Sequence, residues 1–220
     1  MHSFWLVESC SPMMSYIYMF HDHVMLLLVG ISSMIIYFSA NILWSKFYCR
    51  SIKHIESLEL IWTVIPAGIL VMLAGPSLVT LYLVDEVKSP QLSMKIIGHQ
   101  WYWSYEYDDF SNYQIDSFMT ASSELDTGEF RLLEVDDVPP LPVMHEVRLI
   151  ITSSDVIHSW TIPSLGVKAD AIPGRLNQAV VLPNKIGLLY GQCSEICGAY
   201  HSFMPICVSI MSESDFLKML

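Results

Sequence analysis

The run VMLLLVGISSMIIYFSANILW, from Val24 to Trp44, contains 21 residues and no Asp, Glu, Lys or Arg. A second uncharged run of 25 residues extends from Leu60 to Val84. A helix needs about 20 apolar residues to cross the hydrocarbon core of a membrane, and both runs are long enough. We therefore predict a transmembrane hairpin with spans over residues 24–44 and 60–84. A pair of buried core helices is the alternative, but two such runs are rare in one soluble fold.

The basic residues near the hairpin predict its orientation. Lys46, Arg50 and Lys53 lie between the spans, whereas residues 1–45 contain no Lys or Arg. The positive-inside tendency places this loop on the side of synthesis and both chain ends in the opposite compartment. The amino terminus has neither the pattern of a secretory signal nor that of an Arg-rich transit peptide, which favours synthesis inside an organelle and leaves a bacterial origin open.

Beyond the second span the sequence changes from long apolar runs to short alternations. Aromatic residues alternate over 101–107, and apolar residues alternate over 147–151 and 206–210, with Pro and Gly clusters between them. This pattern predicts a mostly β domain of the Greek-key sandwich or barrel class. We assign residues 1–90 to the membrane hairpin with its amino-terminal lead and its link, and residues 91–220 to the β domain.

Negative charge is concentrated in the part of the chain that contains the β domain. From residue 85 to residue 220 there are 18 Asp and Glu against 8 Lys and Arg, in a chain of net charge −11. A field of this sign attracts a cationic partner and weakens with salt. The charge therefore predicts docking of a basic protein and disfavours nucleic acid.

A twelve-residue segment near the end of the chain collects soft metal ligands. Cys193, Cys197, His201 and Met204 supply two thiolates, an imidazole and a thioether. Sulfur ligands favour copper, imidazole suits it, and a weak thioether ligand is usual in copper electron-transfer centres. A pair of metal ions needs one more ligand, and His158, just after a predicted strand, is the best candidate.

Two other interpretations of this segment stay open. A zinc site of two cysteines and two histidines would use His158, Cys193, Cys197 and His201 but would leave Met204 idle, because zinc takes nitrogen, oxygen and thiolate ligands. A disulfide between Cys193 and Cys197 would leave both His201 and Met204 unexplained.

Four motifs carry a resemblance to a known family. They are residues 191–198 continuing to Pro205, the aromatic segment 98–107, residues 170–178, and His21-Asp-His23. With these motifs in the family's order, the chain resembles cytochrome c oxidase subunit 2 from about residue 20 to residue 205. The resemblance implies a two-helix transmembrane hairpin followed by an all-β, cupredoxin-like Greek-key domain.

The resemblance also implies a ligand set for a binuclear copper A centre. The thiolates of Cys193 and Cys197 would bridge two copper ions. His158 and Met204 would complete one ion, and His201 and a backbone carbonyl would complete the other. That carbonyl is the carbonyl of Glu195, whose carboxylate is expected to bind magnesium shared with the catalytic subunit.

Further roles follow from the resemblance. Trp101 is expected to be exposed and to receive the electron from cytochrome c, with Asp116, Asp136 and Asp155 as docking carboxylates. Each carboxylate has the alternative of being an ordinary solvated residue. Glu59, at the mouth of the second span, is expected to admit protons to the catalytic subunit, or else merely to mark the helix start.

The resulting hypothesis is a subunit of the haem-copper cytochrome c oxidase. It would accept single electrons from cytochrome c and pass them to haem in catalytic subunit 1, where oxygen is reduced and protons are pumped. Besides subunit 1 and other oxidase subunits, the lipid bilayer is an expected partner. The chain would be a multi-pass protein of the mitochondrial inner membrane, with both termini and the β domain in the intermembrane space.

Two rival functions differ in copper content. A membrane-anchored copper-delivery or thiol-redox protein would hold one labile ion, and a structural subunit of a quinol oxidase would lack the ligands. Three residues depart from the family pattern: Tyr200 replaces a usual asparagine, Val79 a common arginine, and Cys207 a usual aliphatic residue. None of the three is a predicted ligand.

Overall fold

The computed structural model describes residues 6–47, 51, 54–85, 90–107, 109–110 and 113–219, with the backbone alone at residue 85. The chain forms two compact units. One unit is Tyr16–Val84, and the other joins Met1–Ser15 to Asp85–Leu220. The domain boundary predicted after residue 90 adjoins residues 86–89, which lie outside the described part of the chain.

Two long helices account for the uncharged runs. Helix α1 is Pro12–Trp44 and helix α2 is Glu56–Asp85, and each is long and apolar enough to cross a membrane. The predicted pair of apolar helices is therefore confirmed, but α1 begins well before Val24. The uncharged run does not mark this start, because the helix also includes the polar residues that precede the run. Of the basic loop residues, Arg50 and Lys53 lie outside the described part of the chain.

A serine decides where α1 begins. The Ser11 hydroxyl accepts a hydrogen bond from the backbone N–H of Met14 at 3.0 Å, which is the N-cap arrangement that satisfies one free donor of the first turn. The same hydroxyl donates to the carbonyl oxygen of Leu165 at 2.7 Å, so it is fully buried against the β domain. The residues just before Tyr16 therefore belong to the unit that contains the strands.

In the described part of the chain, ten strands form the β domain. They are β1 (Leu92–His99), β2 (Tyr102–Tyr107), β3 (Tyr113–Ser117), β4 (Pro140–Pro142), β5 (Val147–Ser153), β6 (His158–Ile162), β7 (Val167–Ala171), β8 (Asn177–Val181), β9 (Gly187–Gln192) and β10 (Pro205–Met211), followed by a short helix, α3 (Glu213–Met219). A five-stranded sheet has the order β3-β2-β1-β5-β8, and a three-stranded sheet has the order β4-β10-β9. Strands β6 and β7 pair with each other.

Alternation along the strands produces the core between these sheets. Every second residue of β1 and of β5 is buried, as expected for strands with one face on the core. Trp103, Tyr105 and Tyr107 of β2 are buried too, so these alternating aromatic side chains pack in the core. Trp101 does not continue this strand but lies in the turn between β1 and β2.

Candidate metal centre

A close approach of β6 and β9 brings distant residues together. A Cβ atom at Gly191 would lie 1.8 Å from the carbonyl oxygen of Thr161, so this position of β9 requires a residue without a side chain. Because β6 starts at His158 and Cys193 directly follows β9, the approach places the histidine beside the cysteine. The close packing of the two strands thus brings together two ligands that are 35 residues apart in the sequence.

Three predicted ligands surround the sulfur of Cys193. The Nδ1 atom of His158 lies 4.0 Å from this sulfur, and the backbone carbonyl oxygen of Glu195 lies 3.4 Å from it. The ligand atoms of His158, Cys193 and Cys197 all lie within 4.8 Å of one another. Both thiols are free and buried.

The remaining two ligands lie beside the second sulfur. Sγ of Cys197 is 3.5 Å from Nδ1 of His201 and 3.4 Å from Sδ of Met204. Met204 is buried, and His201 is partly exposed. The four other predicted donors therefore lie beside the two thiols, and the thioether of Met204 faces the sulfur of Cys197.

The metal-free thiols differ in their readiness to ionise. Burial opposes ionisation of Cys193, but hydrogen bonds with His158 and with the backbone at Ser159 and Glu195 outweigh it and lower the Cys193 pKa. Burial, followed by the neighbouring charge of Cys193, raises the pKa of Cys197. The pair therefore forms one thiolate readily and holds its second proton until a metal displaces it.

The donor set fits copper better than zinc. Two thiolates, two imidazoles and a thioether are ligands that copper prefers, and the carbonyl oxygen can complete a second ion. Zinc does not normally bind a thioether, yet Sδ of Met204 lies 3.4 Å from Sγ of Cys197.

Trp101 packs on the metal-binding loop. A Cβ atom at Gly198 would lie 3.0 Å from Cζ2 of Trp101, so the indole ring lies directly on the backbone of the loop. Its other neighbour is Tyr200, whose ring is edge-on at a centroid distance of 4.9 Å. Trp101 is half-buried, so the expectation of an exposed ring is wrong: packing on Gly198 and Tyr200 covers part of it.

Two of the predicted docking carboxylates lie beside a stack of rings that the sequence did not reveal. His99 stacks on Tyr102 at a centroid distance of 4.4 Å, and Tyr102 stacks on Phe118 at 4.3 Å. Asp136 accepts a hydrogen bond from the backbone N–H of Phe118, and Asp116 accepts one from the Ser104 hydroxyl. The sequence signal for this stack was only the ordinary alternation of β-strand residues.

Asp155 has different surroundings from the other two carboxylates. Its Oδ1 atom lies 2.9 Å from Nε2 of His158, so the carboxylate is bonded to a predicted metal ligand. Burial opposes ionisation of Asp155, but hydrogen bonds from His158, Val156 and Gln100 outweigh it and lower its pKa.

The other predicted functional residues are exposed or partly exposed. Glu195 is exposed, and no hydrogen bond to its carboxylate occurs among the described residues. Glu59 lies in the first turn of α2, where its carboxylate pairs with Nδ1 of His54 at 2.6 Å. Among the departures from the family pattern, Cys207 is fully buried, whereas Tyr200 and Val79 are exposed.

A cupredoxin-like β domain that directs thiolate, imidazole and thioether donors at one point, in a chain with two apolar helices, defines a membrane-anchored copper protein of the electron-transfer class. The profile of the family described as "Cytochrome C oxidase subunit II, periplasmic domain" matches residues 92–211. The profile of the transmembrane domain of the same subunit matches residues 1–80. The chain belongs to the cytochrome c oxidase subunit II family.

Relatives from arthropods support this assignment over nearly the whole chain. Cytochrome c oxidase subunit 2 of Aedes aegypti is 52% identical over 213 residues, which are 97% of this chain and 93% of the relative. The subunit of Artemia franciscana is 52% identical over 210 residues, or 96% and 92% of the two chains.

Two solved structures match the β domain. The periplasmic domain of subunit II of the cytochrome oxidase of Bradyrhizobium japonicum is 42% identical, with a TM-score of 0.57, over 61% of this chain and 94% of that one. A subunit II domain in a mixed disulfide intermediate with a thioredoxin-like protein is 41% identical, with a TM-score of 0.53, over 61% and 92%.

Family membership decides the general function. The chain is a subunit of a haem-copper oxidase, which is an oxidoreductase complex, and it is the copper A subunit through which electrons enter. It therefore assembles with other oxidase subunits. Its two apolar helices and its transmembrane-domain match make it an inner-membrane protein.

Proposed function

We propose that this chain takes single electrons from cytochrome c at a binuclear copper centre and passes them to haem in the catalytic subunit. The observation that carries the proposal is that the four other predicted donors, from His158, Glu195, His201 and Met204, lie beside the sulfur atoms of Cys193 and Cys197. Bound copper would supply the one-electron redox chemistry, with the electron shared across the two thiolates.

The protein would hold the copper ligands rigidly and mostly away from solvent. The two ions would be held by the thiolates of Cys193 and Cys197, with His158, Met204, His201 and the backbone carbonyl of Glu195 as the other ligands. His158 is fully buried and is fixed at the start of a strand, and the loop that carries the other ligands is held between β9 and β10. Such support restricts the movement of each ligand when the charge of the site changes.

Electrons would enter on the side of Trp101. Its ring touches the loop at Gly198, and the stack of His99, Tyr102 and Phe118 lies on the neighbouring strands. The carboxylates of Asp116 and Asp136 are exposed beside this stack and carry the negative charge that a basic cytochrome c requires.

Electrons would leave through the exposed part of the metal-binding loop. Ile196, between the two cysteines, is 73% exposed, which indicates a surface that another subunit covers. The neighbouring carboxylate of Glu195 is free to bind magnesium shared with the catalytic subunit, because the carbonyl of the same residue faces Cys193.

The contacts of the amino-terminal segment support the proposed orientation. The backbone N–H of Cys10 donates to Ser164 at 2.8 Å, and the N–H of Asn184 donates to Cys10 at 3.0 Å. The start of α1 is therefore fastened to the β domain, which follows α2 in the chain. Two membrane crossings put the start of α1 and the β domain on the same side of the membrane. The positive charge of Lys46 favours the matrix side for the connecting loop. The β domain and both termini then lie in the mitochondrial intermembrane space.

A proton entrance at Glu59 also belongs to the proposal. The Glu59 carboxylate lies 2.6 Å from Nδ1 of His54 at the first turn of α2, and both side chains are open to solvent. An oxidase that carries Glu59→Gln should pump fewer protons per electron, while the spectrum of its copper centre stays unchanged. If pumping is unaffected, Glu59 only complements the helix dipole.

Electron paramagnetic resonance of the purified, oxidised oxidase tests the central proposal. We expect an unpaired electron shared by two copper nuclei, and a Cys197→Ser variant should lose this signal. A spectrum of one isolated copper ion would refute the binuclear centre. A single labile ion would instead favour a copper-delivery function.

The mixed disulfide structure suggests a preparatory step for the thiols. In that structure a subunit II domain is joined to a thioredoxin-like protein. By analogy, we propose that the thiolate of a thioredoxin-like dithiol attacks any disulfide between Cys193 and Cys197, and that its second thiolate then releases both cysteines reduced. Oxidised chain incubated with such a dithiol should regain two free thiols and bind copper, whereas recovery without reductant would contradict this step.

A further inference from the structure

One carboxylate connects a predicted copper ligand to the turn that carries Trp101. Oδ1 of Asp155 lies 2.9 Å from Nε2 of His158, and Oδ2 accepts the backbone N–H of Gln100 at 2.7 Å. Oδ1 also accepts the N–H of Val156 at 2.6 Å. The Asp155 side chain is only 31% exposed, and its two oxygens are engaged by four residues, because the Ser153 hydroxyl also donates to Oδ1 at 3.3 Å.

The next residue in this chain of contacts reaches the metal-binding loop. The side-chain amide of Gln100 donates to the carbonyl oxygen of Cys197 at 2.6 Å. Gln100 therefore donates one hydrogen bond from its backbone to Asp155 and another from its side chain to the carbonyl of the cysteine ligand Cys197. The resulting series, His158–Asp155–Gln100–Cys197, joins three segments that belong to different parts of the fold. We call this series the ligand brace.

The ligand brace also decides which nitrogen of His158 is free for a metal. With its proton on Nε2, the ring donates to Asp155 and turns the lone pair of Nδ1 towards the sulfur of Cys193. A carboxylate on the outer nitrogen is the usual way in which proteins fix the orientation of a ligating histidine. The ring has little other freedom, because a Cβ atom at Gly98 would lie 2.9 Å from it.

The same brace determines where Trp101 lies. Trp101 directly follows Gln100, whose two hydrogen bonds fix the turn between β1 and β2 on the loop that begins at Cys197. The indole ring then packs on Gly198, one residue beyond the cysteine. A shift of Gln100 would therefore move the ring away from the loop that carries the copper ligands.

We propose that Asp155 is a positioning residue, which orients His158 for the metal and, through Gln100, holds the Trp101 turn on the copper-binding loop. The inference rests on the proposed copper function and specifies how its site is held. It differs from a docking role, which would require only the charge of Asp155 at the surface. The two roles therefore make opposite predictions for a substitution that removes the charge and retains the size.

The test compares Asp155→Asn with Asp116→Asn in the assembled oxidase. Both changes remove one negative charge, but Asp116 contacts no predicted ligand and serves as the matched control. An asparagine at position 155 presents an NH2 group to one of the two donors, so it cannot keep both halves of the brace. The readouts are the copper content, the electron paramagnetic resonance spectrum of the copper pair, and kcat and KM for cytochrome c at low and high salt.

For Asp155→Asn we expect an altered copper spectrum, or partial loss of copper, and a fall in kcat of about tenfold or more at every salt concentration. For Asp116→Asn we expect an unchanged spectrum and a higher KM at low salt alone. If Asp155→Asn behaves like the control, Asp155 is a docking carboxylate and the inference is refuted. If the unsubstituted oxidase itself lacks the spectrum of a copper pair, the proposed function fails instead.

A second variant tests the outer half of the brace without altering a neighbour of His158. Gln100→Ala removes the bond to the Cys197 carbonyl but retains the backbone N–H that Asp155 accepts. We expect full copper content, an unchanged KM and a kcat reduced several-fold, because the Trp101 turn loses one of its two attachments. A kcat equal to that of the unsubstituted oxidase would refute the positioning of Trp101 through Gln100.

Discussion

The contact between Trp101 and the metal-binding loop can be tested by adding one methyl group. Gly198 has a φ of +131°, a backbone conformation that residues with side chains rarely adopt. Gly198→Ala therefore introduces strain of about 1–3 kcal/mol. In addition, the new Cβ atom would lie 3.0 Å from Cζ2 of Trp101 and 3.2 Å from its Nε1. The ring must withdraw by a few tenths of an ångström.

The withdrawal should slow electron transfer from cytochrome c. A misplacement of about 1 Å in a reacting pair can cost about a hundredfold in rate, so a few tenths correspond to about two- to fivefold. Stopped-flow mixing of the oxidase with reduced cytochrome c measures this rate through the absorption of the copper centre. Electron paramagnetic resonance of the same sample reports whether the copper pair itself is intact.

Gly128→Ala is the matched control for this experiment. Gly128 also has a positive φ, of +108°, but no atom lies within 4 Å of its added Cβ. Both variants should therefore lose a similar free energy of unfolding, whereas only Gly198→Ala should slow the electron transfer. Equal rates in the two variants would refute the proposal that Trp101 transfers electrons through its contact with the loop.

Three further predictions concern the metal, the partner and the fold. Copper affinity should rise about tenfold per pH unit for each proton released, because Cys197, with its raised pKa, is protonated until copper displaces the proton; competition titrations with a chelator measure this. Asp116→Asn combined with Asp136→Asn should raise the KM for cytochrome c at low salt and have little effect at high salt, in steady-state assays. Ser11→Ala should lower the free energy of unfolding by about 1–3 kcal/mol, because it removes the cap of Met14 and a buried hydrogen bond, as denaturant titration would show.

Each of these predictions has an outcome that contradicts it. Affinity that does not change with pH would mean that the binding thiols are already ionised, and it would contradict the first prediction. An increase in KM that persists unchanged at high salt would exclude steering by the two carboxylates. Ser33→Ala is the control for the prediction on the fold, because among the described residues the exposed Ser33 hydroxyl donates only to the carbonyl of Val29 within α1. Equal free energies of unfolding for the two serine variants would contradict the stabilising role of Ser11.

Residue types and short spacings made much of the fold and of the ligand set predictable. The uncharged runs predicted two apolar helices. The alternation over 101–107 predicted a strand, and residues 103, 105 and 107 of that strand are buried. The start of α1 was not predictable in this way, because Ser11 caps the helix while it is bonded to Leu165, far along the chain. Likewise, the sequence indicated that Trp101 matters but not that Tyr200 and Gly198 cover part of it.

The two apolar helices, the β class and the chemical kind of the metal site could be predicted from the amino-acid sequence, because they depend on the local order of residue types. The hydrogen bonds of Asp155 with His158 and Gln100, and of Gln100 with Cys197, became visible in the folded chain alone. Those contacts join residues as much as 55 and 97 positions apart. Their existence depends on how β1, β6 and the loop after β9 pack together, and no spacing within one segment encodes such a distance.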